Sequence, residues 1–125
     1  MAKILVVDDD PDFVAITSLV LEQEGHDVIC AANGDDALQM VAEEAPDLII
    51  LDVIMSTPLD GLSVSQKLMD HPEYRDIPIV MVTSIANTDY AELFPSDEYV
   101  HVDTFMTKPV ASDRLVKEVN RLLRR

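Results

Sequence analysis

The chain has 125 residues and a formal net charge of −15 at pH 7. This size suits one domain with a hydrophobic core, and the acidity argues against direct contact with nucleic acid, whose phosphates require clustered Lys and Arg. Apolar residues make up 48% of the sequence, yet no run approaches the ~20 residues that span a bilayer, and no basic segment precedes an apolar stretch as in a signal peptide.

Cys30 is the only cysteine, which excludes an internal disulfide and a thiolate metal cluster. We therefore expect a single domain over residues 1–125, located in the cytoplasm and without a membrane partner.

Five short apolar segments predict β-strands. The first four are continuously apolar, which is typical of strands that are covered on both faces of a parallel sheet. In chain order, the predicted strands cover residues 4–7 (ILVV), 28–31 (VICA), 48–51 (LIIL), 79–82 (IVMV) and 104–107 (TFMT).

Between and after these strands, apolar residues recur at helical spacing. The resulting alternation of strands and helices predicts an α/β fold, a doubly wound five-stranded parallel sheet with helices on both faces. In such sheets the ligand site lies at the carboxyl ends of the strands. The predicted helices cover residues 11–24, 35–45, 61–70 and 113–124.

Residues at the helix ends support these boundaries. Asp10 is a predicted N-cap, Pro11 suits the first helical position, and Gly25 is a predicted C-terminal stop. Ser112 is the predicted N-cap of the last helix. The apolar face of the first helix is predicted to include Phe13, Ile16, Val20 and Leu21.

Polar residues follow four of the five predicted strands and would therefore meet at one edge of the sheet. Adjacent carboxylates repel one another unless a hard cation joins them, and Mg²⁺ prefers oxygen ligands. A carboxylate beside Mg²⁺ can act as a nucleophile and form an aspartyl phosphate, while an ammonium and a hydroxyl hold the phosphoryl oxygens. The residues concerned are Asp8 and Asp9, Asp52, Thr83 with Ser84, and Lys108.

The segments "KILVVDDD", "LIILDVIM", "IVMVTS" and "TFMTKPV", in this order, resemble the receiver domains of two-component response regulators. The resemblance covers essentially the whole chain and implies a flavodoxin-like fold with strand order 2-1-3-4-5. It also implies that a sensor histidine kinase or phosphotransfer protein donates a phosphoryl group to an aspartate, which by position is Asp52. Such a domain is not an enzyme in the usual sense, because it catalyses only its own phosphorylation and slow dephosphorylation.

The resemblance further implies a role for each matching residue. Asp9 would bind Mg²⁺ directly, Asp8 largely through water, and the backbone carbonyl of Ile54 would complete the protein's ligands with Asp52. The implied switch consists of a hydroxyl, a phosphate-binding lysine and an aromatic residue, namely Thr83, Lys108 and Phe105. The implied partners are a downstream protein or a missing output domain, and a phosphorylation-dependent dimer is possible within the family.

Three features depart from the family pattern. The loop after Asp52 reads "DVIMSTPLDG", with Ser56 in place of the usual proline and one extra residue before Gly61. The stretch 86–103 contains Pro95 and no glycine, which predicts a short, broken or displaced fourth helix. Two positions that flank the phosphoryl group and are often polar in the family are here Ile54 and Ile85.

The sequence leaves two alternative functions open. Asp8 and Asp10 form the D-x-D of haloacid-dehalogenase-like phosphatases, but the Thr or Val that completes this motif is absent from the residues that directly follow. A degenerate receiver that docks to a partner without phosphorylation is the second alternative.

Overall fold

The computed structural model describes residues 2–52, 66–68, 70–74, 76–83, 104–107 and 111–124. The described strands are β1 (Lys3–Val7), β2 (Asp27–Ala31), β3 (Leu48–Asp52), β4 (Ile79–Thr83) and β5 (Thr104–Thr107). The described helices with complete bounds are α1 (Pro11–Gln23), α2 (Gly34–Glu44) and the C-terminal helix α3 (Ser112–Leu123). The strand positions agree with the predicted ones to within one residue at each end.

The five strands form one parallel sheet in the order β2-β1-β3-β4-β5. The predicted fold class and strand order are therefore confirmed. Val7 at the end of β1 pairs with Ala31 of β2 on one side and with Leu51 of β3 on the other. This register brings the carboxyl ends of the three strands to the same level, so that the residues that follow them share one edge.

The core is split between the two faces of the sheet, which explains why the strands are continuously apolar. Leu5 and Val7 of β1 pack in a cluster with α2 residues Ala37 and Val41. The intervening strand positions face the other side, in a cluster that contains residues of α1 and α3. Both faces of each central strand are therefore buried, and polar residues within the strands would be costly.

Helix α1 begins at the predicted residue and ends one residue before the predicted end. The Asp10 side chain accepts hydrogen bonds from the backbone N–H groups of Asp12 and Phe13, and Pro11 is the first helical residue. Gly25 has a φ of 89°, a left-handed conformation that glycine adopts without a steric penalty. The predicted N-cap and stop of this helix are confirmed.

The predicted buried face of α1 was wrong in one position. Ile16 is 62% exposed and Leu19 is 58% exposed, whereas Thr17 and Leu21 are buried. Helix α1 carries apolar residues around most of its circumference, so their spacing does not single out one face. The contact with the sheet selects the side that bears Thr17 and Leu21, and this rotation turns Ile16 toward solvent.

The predicted N-cap of α3 was also wrong. The helix begins at Ser112, its N-cap is Ala111, and no side chain caps it by a hydrogen bond. The amide of Leu115 donates to the carbonyl of Ala111, which makes Ala111 the last residue outside the helix. A serine can cap only from that preceding position, because its oxygen must reach N–H groups two or three residues ahead.

The remaining predicted elements lie partly or wholly outside the described residues. Residues 66–68 and 70 are helical, in agreement with the helix predicted over 61–70 as far as the structure describes it, and Leu68 belongs to the core. The altered fourth helix predicted within 86–103 lies outside the described residues. None of the described helices combines the length and apolar character that crossing a lipid bilayer requires.

Candidate functional site

The acidic residues predicted to meet at the carboxyl edge of the sheet do so. Asp8 directly follows β1, and Asp52 is the last residue of β3. Because Val7 pairs with Leu51, the next residue on each strand, Asp8 and Asp52, project from the same edge. One carboxylate oxygen from each of Asp8, Asp9 and Asp52 lies within 4.8 Å of the other two.

The three carboxylates differ in their exposure to solvent. Asp8 is 3% exposed and Asp52 is 4% exposed, whereas Asp9 is exposed. The two buried carboxylates form the floor of the cluster, and Asp9 is at its solvent side. An incoming molecule can therefore approach the cluster from the side of Asp9.

Asp8 is held both at its backbone and at its side chain. The amide of Asp8 donates to the carbonyl of Ala31 at the end of β2, at 3.1 Å. The amide of Asp10 donates to Oδ1 of Asp8, at 2.9 Å. The sequence predicted no contribution from the second strand, because a backbone carbonyl leaves no side-chain signal in a sequence.

The cluster has the composition of a site for a hard divalent cation. Two unit charges 4.8 Å apart repel by about 1 kcal/mol at the dielectric constant of water, and by about 3 kcal/mol at an effective value of about 20. A cation removes this repulsion, and carboxylate oxygens are ligands that Mg²⁺ prefers. Within the described ranges, this is the one group of three or more His, Cys, Asp or Glu residues close enough to hold a metal ion.

The structure describes the rest of the predicted site only in part. Thr83 is the last residue of β4 and pairs with Thr107 of β5, while Phe105 pairs with Met81. These pairings place the two predicted switch positions on neighbouring strands, but the side chains of Thr83 and Phe105 are outside what the structure describes. Lys108, Ile54, Ser84 and Ile85 lie outside the described residues.

Comparison with known proteins identifies the family. The family model for the response regulator receiver domain matches residues 4–120. Protein PilH of Pseudomonas aeruginosa is 31% identical over 98% of this chain and 98% of its own length. The alkaline phosphatase synthesis transcriptional regulatory protein PhoP of Bacillus subtilis is 36% identical over 98% of this chain, which spans only 49% of PhoP.

A solved structure gives the same result for the fold. The chemotaxis response regulator CheY4 of Vibrio cholerae is 29% identical, with 98% of each chain covered and a TM-score of 0.85. The acidic cluster thus lies in a fold shared with a response regulator, at the edge where the sequence predicted a phosphorylation site. The chain belongs to the family of response regulator receiver domains.

Proposed function

We propose that residues 1–125 form one receiver domain that accepts a phosphoryl group on Asp52 with the help of Mg²⁺. The observation that carries this proposal is the approach of three carboxylates to within 4.8 Å of one another, with Asp8 and Asp52 buried. Receiver domains are signalling domains and not classical enzymes. The reaction of this chain would therefore be its own phosphorylation and slow dephosphorylation.

Asp52 would act as the nucleophile. A carboxylate oxygen attacks the phosphorus of a phosphohistidine, the new O–P bond forms, and the N–P bond breaks. The electron pair of the broken bond stays with the imidazole nitrogen of the donor. Asp52 is suited to this role because it ends a buried strand, so that the sheet fixes its position before the donor arrives.

Asp8, Asp9 and Asp52 would hold the metal, together with the backbone carbonyl of Ile54. The resemblance assigns Asp9 a direct bond and Asp8 a bond largely through water. Bound Mg²⁺ would neutralise the carboxylates and the phosphoryl oxygens as negative charge gathers at the site. The all-oxygen donor set and the close approach of the carboxylates support this assignment.

The response to phosphorylation would involve Thr83, Lys108 and Phe105. Lys108 would neutralise the phosphoryl group, the Thr83 hydroxyl would move toward it, and the Phe105 ring would move inward. The phosphodonor would be a sensor histidine kinase or a phosphotransfer protein in the cytoplasm. The changed surface would meet a downstream protein, an output domain or a second phosphorylated copy.

Phosphorylation by acetyl phosphate tests the proposal. With Mg²⁺, intact-mass spectrometry should show the gain of one phosphoryl group, and peptide mapping should locate it on Asp52. Asp52→Asn should show no stable gain, because an amide is a poor nucleophile and a weaker metal ligand. Asp27→Asn is the matched control, since it makes the same change at an exposed residue at the start of β2. Phosphorylation of Asp52→Asn at the wild-type rate would show that the acceptor is misassigned.

The same assay separates the alternatives. A domain that docks without phosphorylation would show no gain in mass in the wild-type protein. A haloacid-dehalogenase-like phosphatase would be modified on Asp8 and would turn over. This last alternative loses support from the family match over residues 4–120 and from Asp10, whose Oδ1 accepts the amides of Asp12 and Phe13 as a helix cap.

A further inference from the structure

Asp10 connects the acidic cluster to the start of helix α1 through four hydrogen bonds. Its Oδ1 accepts from the amides of Asp12 at 3.0 Å and Phe13 at 3.4 Å. Its carbonyl accepts from the amide of Val14 at 3.1 Å. Its own amide donates to Oδ1 of Asp8 at 2.9 Å. The side chain of Asp10 therefore serves the helix, while its backbone holds the carboxylate of Asp8.

We infer that Asp10 is a positioning residue for the metal site: its side chain fixes the turn whose amide orients the Asp8 carboxylate. This inference rests on the proposed function, because it concerns the site at which Mg²⁺ would bind. It does not make Asp10 a metal ligand, since the cluster consists of Asp8, Asp9 and Asp52 and Oδ1 of Asp10 caps the first turn of α1.

The physical argument concerns rotation of the Asp8 carboxylate. The terminal torsion of an aspartate is broad, so that nothing in the residue itself fixes the plane of its oxygens. The hydrogen bond from the Asp10 amide fixes that plane, provided that the Asp10 backbone keeps its extended conformation, with φ −91° and ψ 106°. The two cap hydrogen bonds maintain this conformation. Without the Asp10 carboxylate, the turn would sample other conformations, and the Asp10 amide that donates to Oδ1 of Asp8 would move.

The expected effect is a loss of metal affinity that exceeds the loss of stability. Removal of a residue that orients a metal ligand typically weakens binding by roughly 10- to 100-fold. Because the hydrogen bond from the Asp8 amide to the carbonyl of Ala31 still holds the backbone of Asp8, only the orientation of its carboxylate is affected, and we expect the lower end of this range. Asp10→Ala should therefore bind Mg²⁺ about tenfold more weakly than wild type.

Two variants separate positioning from other causes. Asp10→Asn removes the negative charge but keeps an oxygen that can cap the helix, since Asn and Asp are equally good N-caps. Asn33→Ala removes the corresponding cap of α2, where Asn33 Oδ1 accepts from the amide of Asp36 at 2.8 Å. Asn33→Ala should destabilise the fold as Asp10→Ala does. Among the described hydrogen bonds, however, none joins the cap of α2 to Asp8.

The experiment is a Mg²⁺ titration of the full chain by calorimetry, with thermal melts of each variant in metal-free buffer. We expect wild type, Asp10→Asn and Asn33→Ala to bind with similar affinity and Asp10→Ala to bind about tenfold more weakly. Wild-type affinity in Asp10→Ala, or equal weakening in Asn33→Ala, would overturn the inference. Equal weakening in Asp10→Asn would assign the effect to charge and would also overturn it, even if Asp10→Ala failed to fold.

These outcomes are distinct from failure of the proposed function. If the wild-type protein itself showed no Mg²⁺ binding, the proposed metal site would be wrong and the inference would fall with it. If wild type bound Mg²⁺ and only the expected difference between variants were missing, the metal site would stand and the role of Asp10 alone would be refuted.

Discussion

Replacement of Asp9 by alanine should stabilise the metal-free protein. Asp9 faces two other carboxylates whose oxygens lie within 4.8 Å of its own. Because Asp9 is exposed, the repulsion is taken at the dielectric constant of water, which gives about 1 kcal/mol for each neighbour and about 2 kcal/mol in all. Asp9 also lies near the positive end of α1, and loss of that attraction costs about 0.3–1 kcal/mol.

The repulsion is the larger of the two effects, so the net gain from Asp9→Ala should be about 1–2 kcal/mol in the free energy of unfolding. For a chain of this length, that corresponds to a rise of about 4–8 °C in Tm. Addition of Mg²⁺ should stabilise wild type more than Asp9→Ala. At ten times its Kd it stabilises wild type by about 1.4 kcal/mol, whereas the variant, which lacks the carboxylate proposed to bind the metal directly, should gain little.

Thermal melts of both proteins with EDTA and with Mg²⁺ provide the measurement. Asp27→Ala is the control, because it also removes one negative charge from an exposed residue, but at the start of β2, away from the cluster. Its Tm should change little in EDTA, and Mg²⁺ should stabilise it as it does wild type. A lower Tm for Asp9→Ala in EDTA would refute the reasoning and would show that favourable contacts of Asp9 outweigh the repulsion.

Two further predictions concern packing and the lifetime of the phosphorylated state. Leu21→Ala should lower the free energy of unfolding by about 2–5 kcal/mol, since Leu21 is fully buried. Ile16→Ala should change it by less than about 0.5 kcal/mol, since Ile16 is exposed. Urea unfolding measures both, and equal losses would contradict the observed rotation of α1. The side chains of Ile54 and Ile85, two residues outside the described ranges, offer no hydrogen bond to a hydrolytic water. Wild type should therefore lose its phosphoryl group slowly, and Ile54→Asn and Ile85→Glu should lose it faster. Loss of phosphate at one rate in all three proteins would rule this out.

The sequence by itself determined the fold class and much of the local structure. Continuous apolar runs such as "LIIL" require burial on both faces, and the structure places Ile49 and Ile50 in opposite clusters. The start of α1 was predictable because Asp10 and Pro11 affect only the first turn of the helix, which follows them directly in the sequence. The acidic edge was predictable because parallel strands all end at the same side, so Asp8 and Asp52 had to emerge together.

Only the tertiary structure decided which face of α1 is buried and how closely the carboxylates approach. The rotation of α1 depends on its contact with the sheet, and a helix with apolar residues on most sides does not reveal this in its spacing. The approach within 4.8 Å follows from strand register and from the bond between the Asp8 amide and the Ala31 carbonyl. Every residue except proline carries the same backbone N–H and C=O groups, so a restraint made by them has no sequence signature and appears only when distant strands come together.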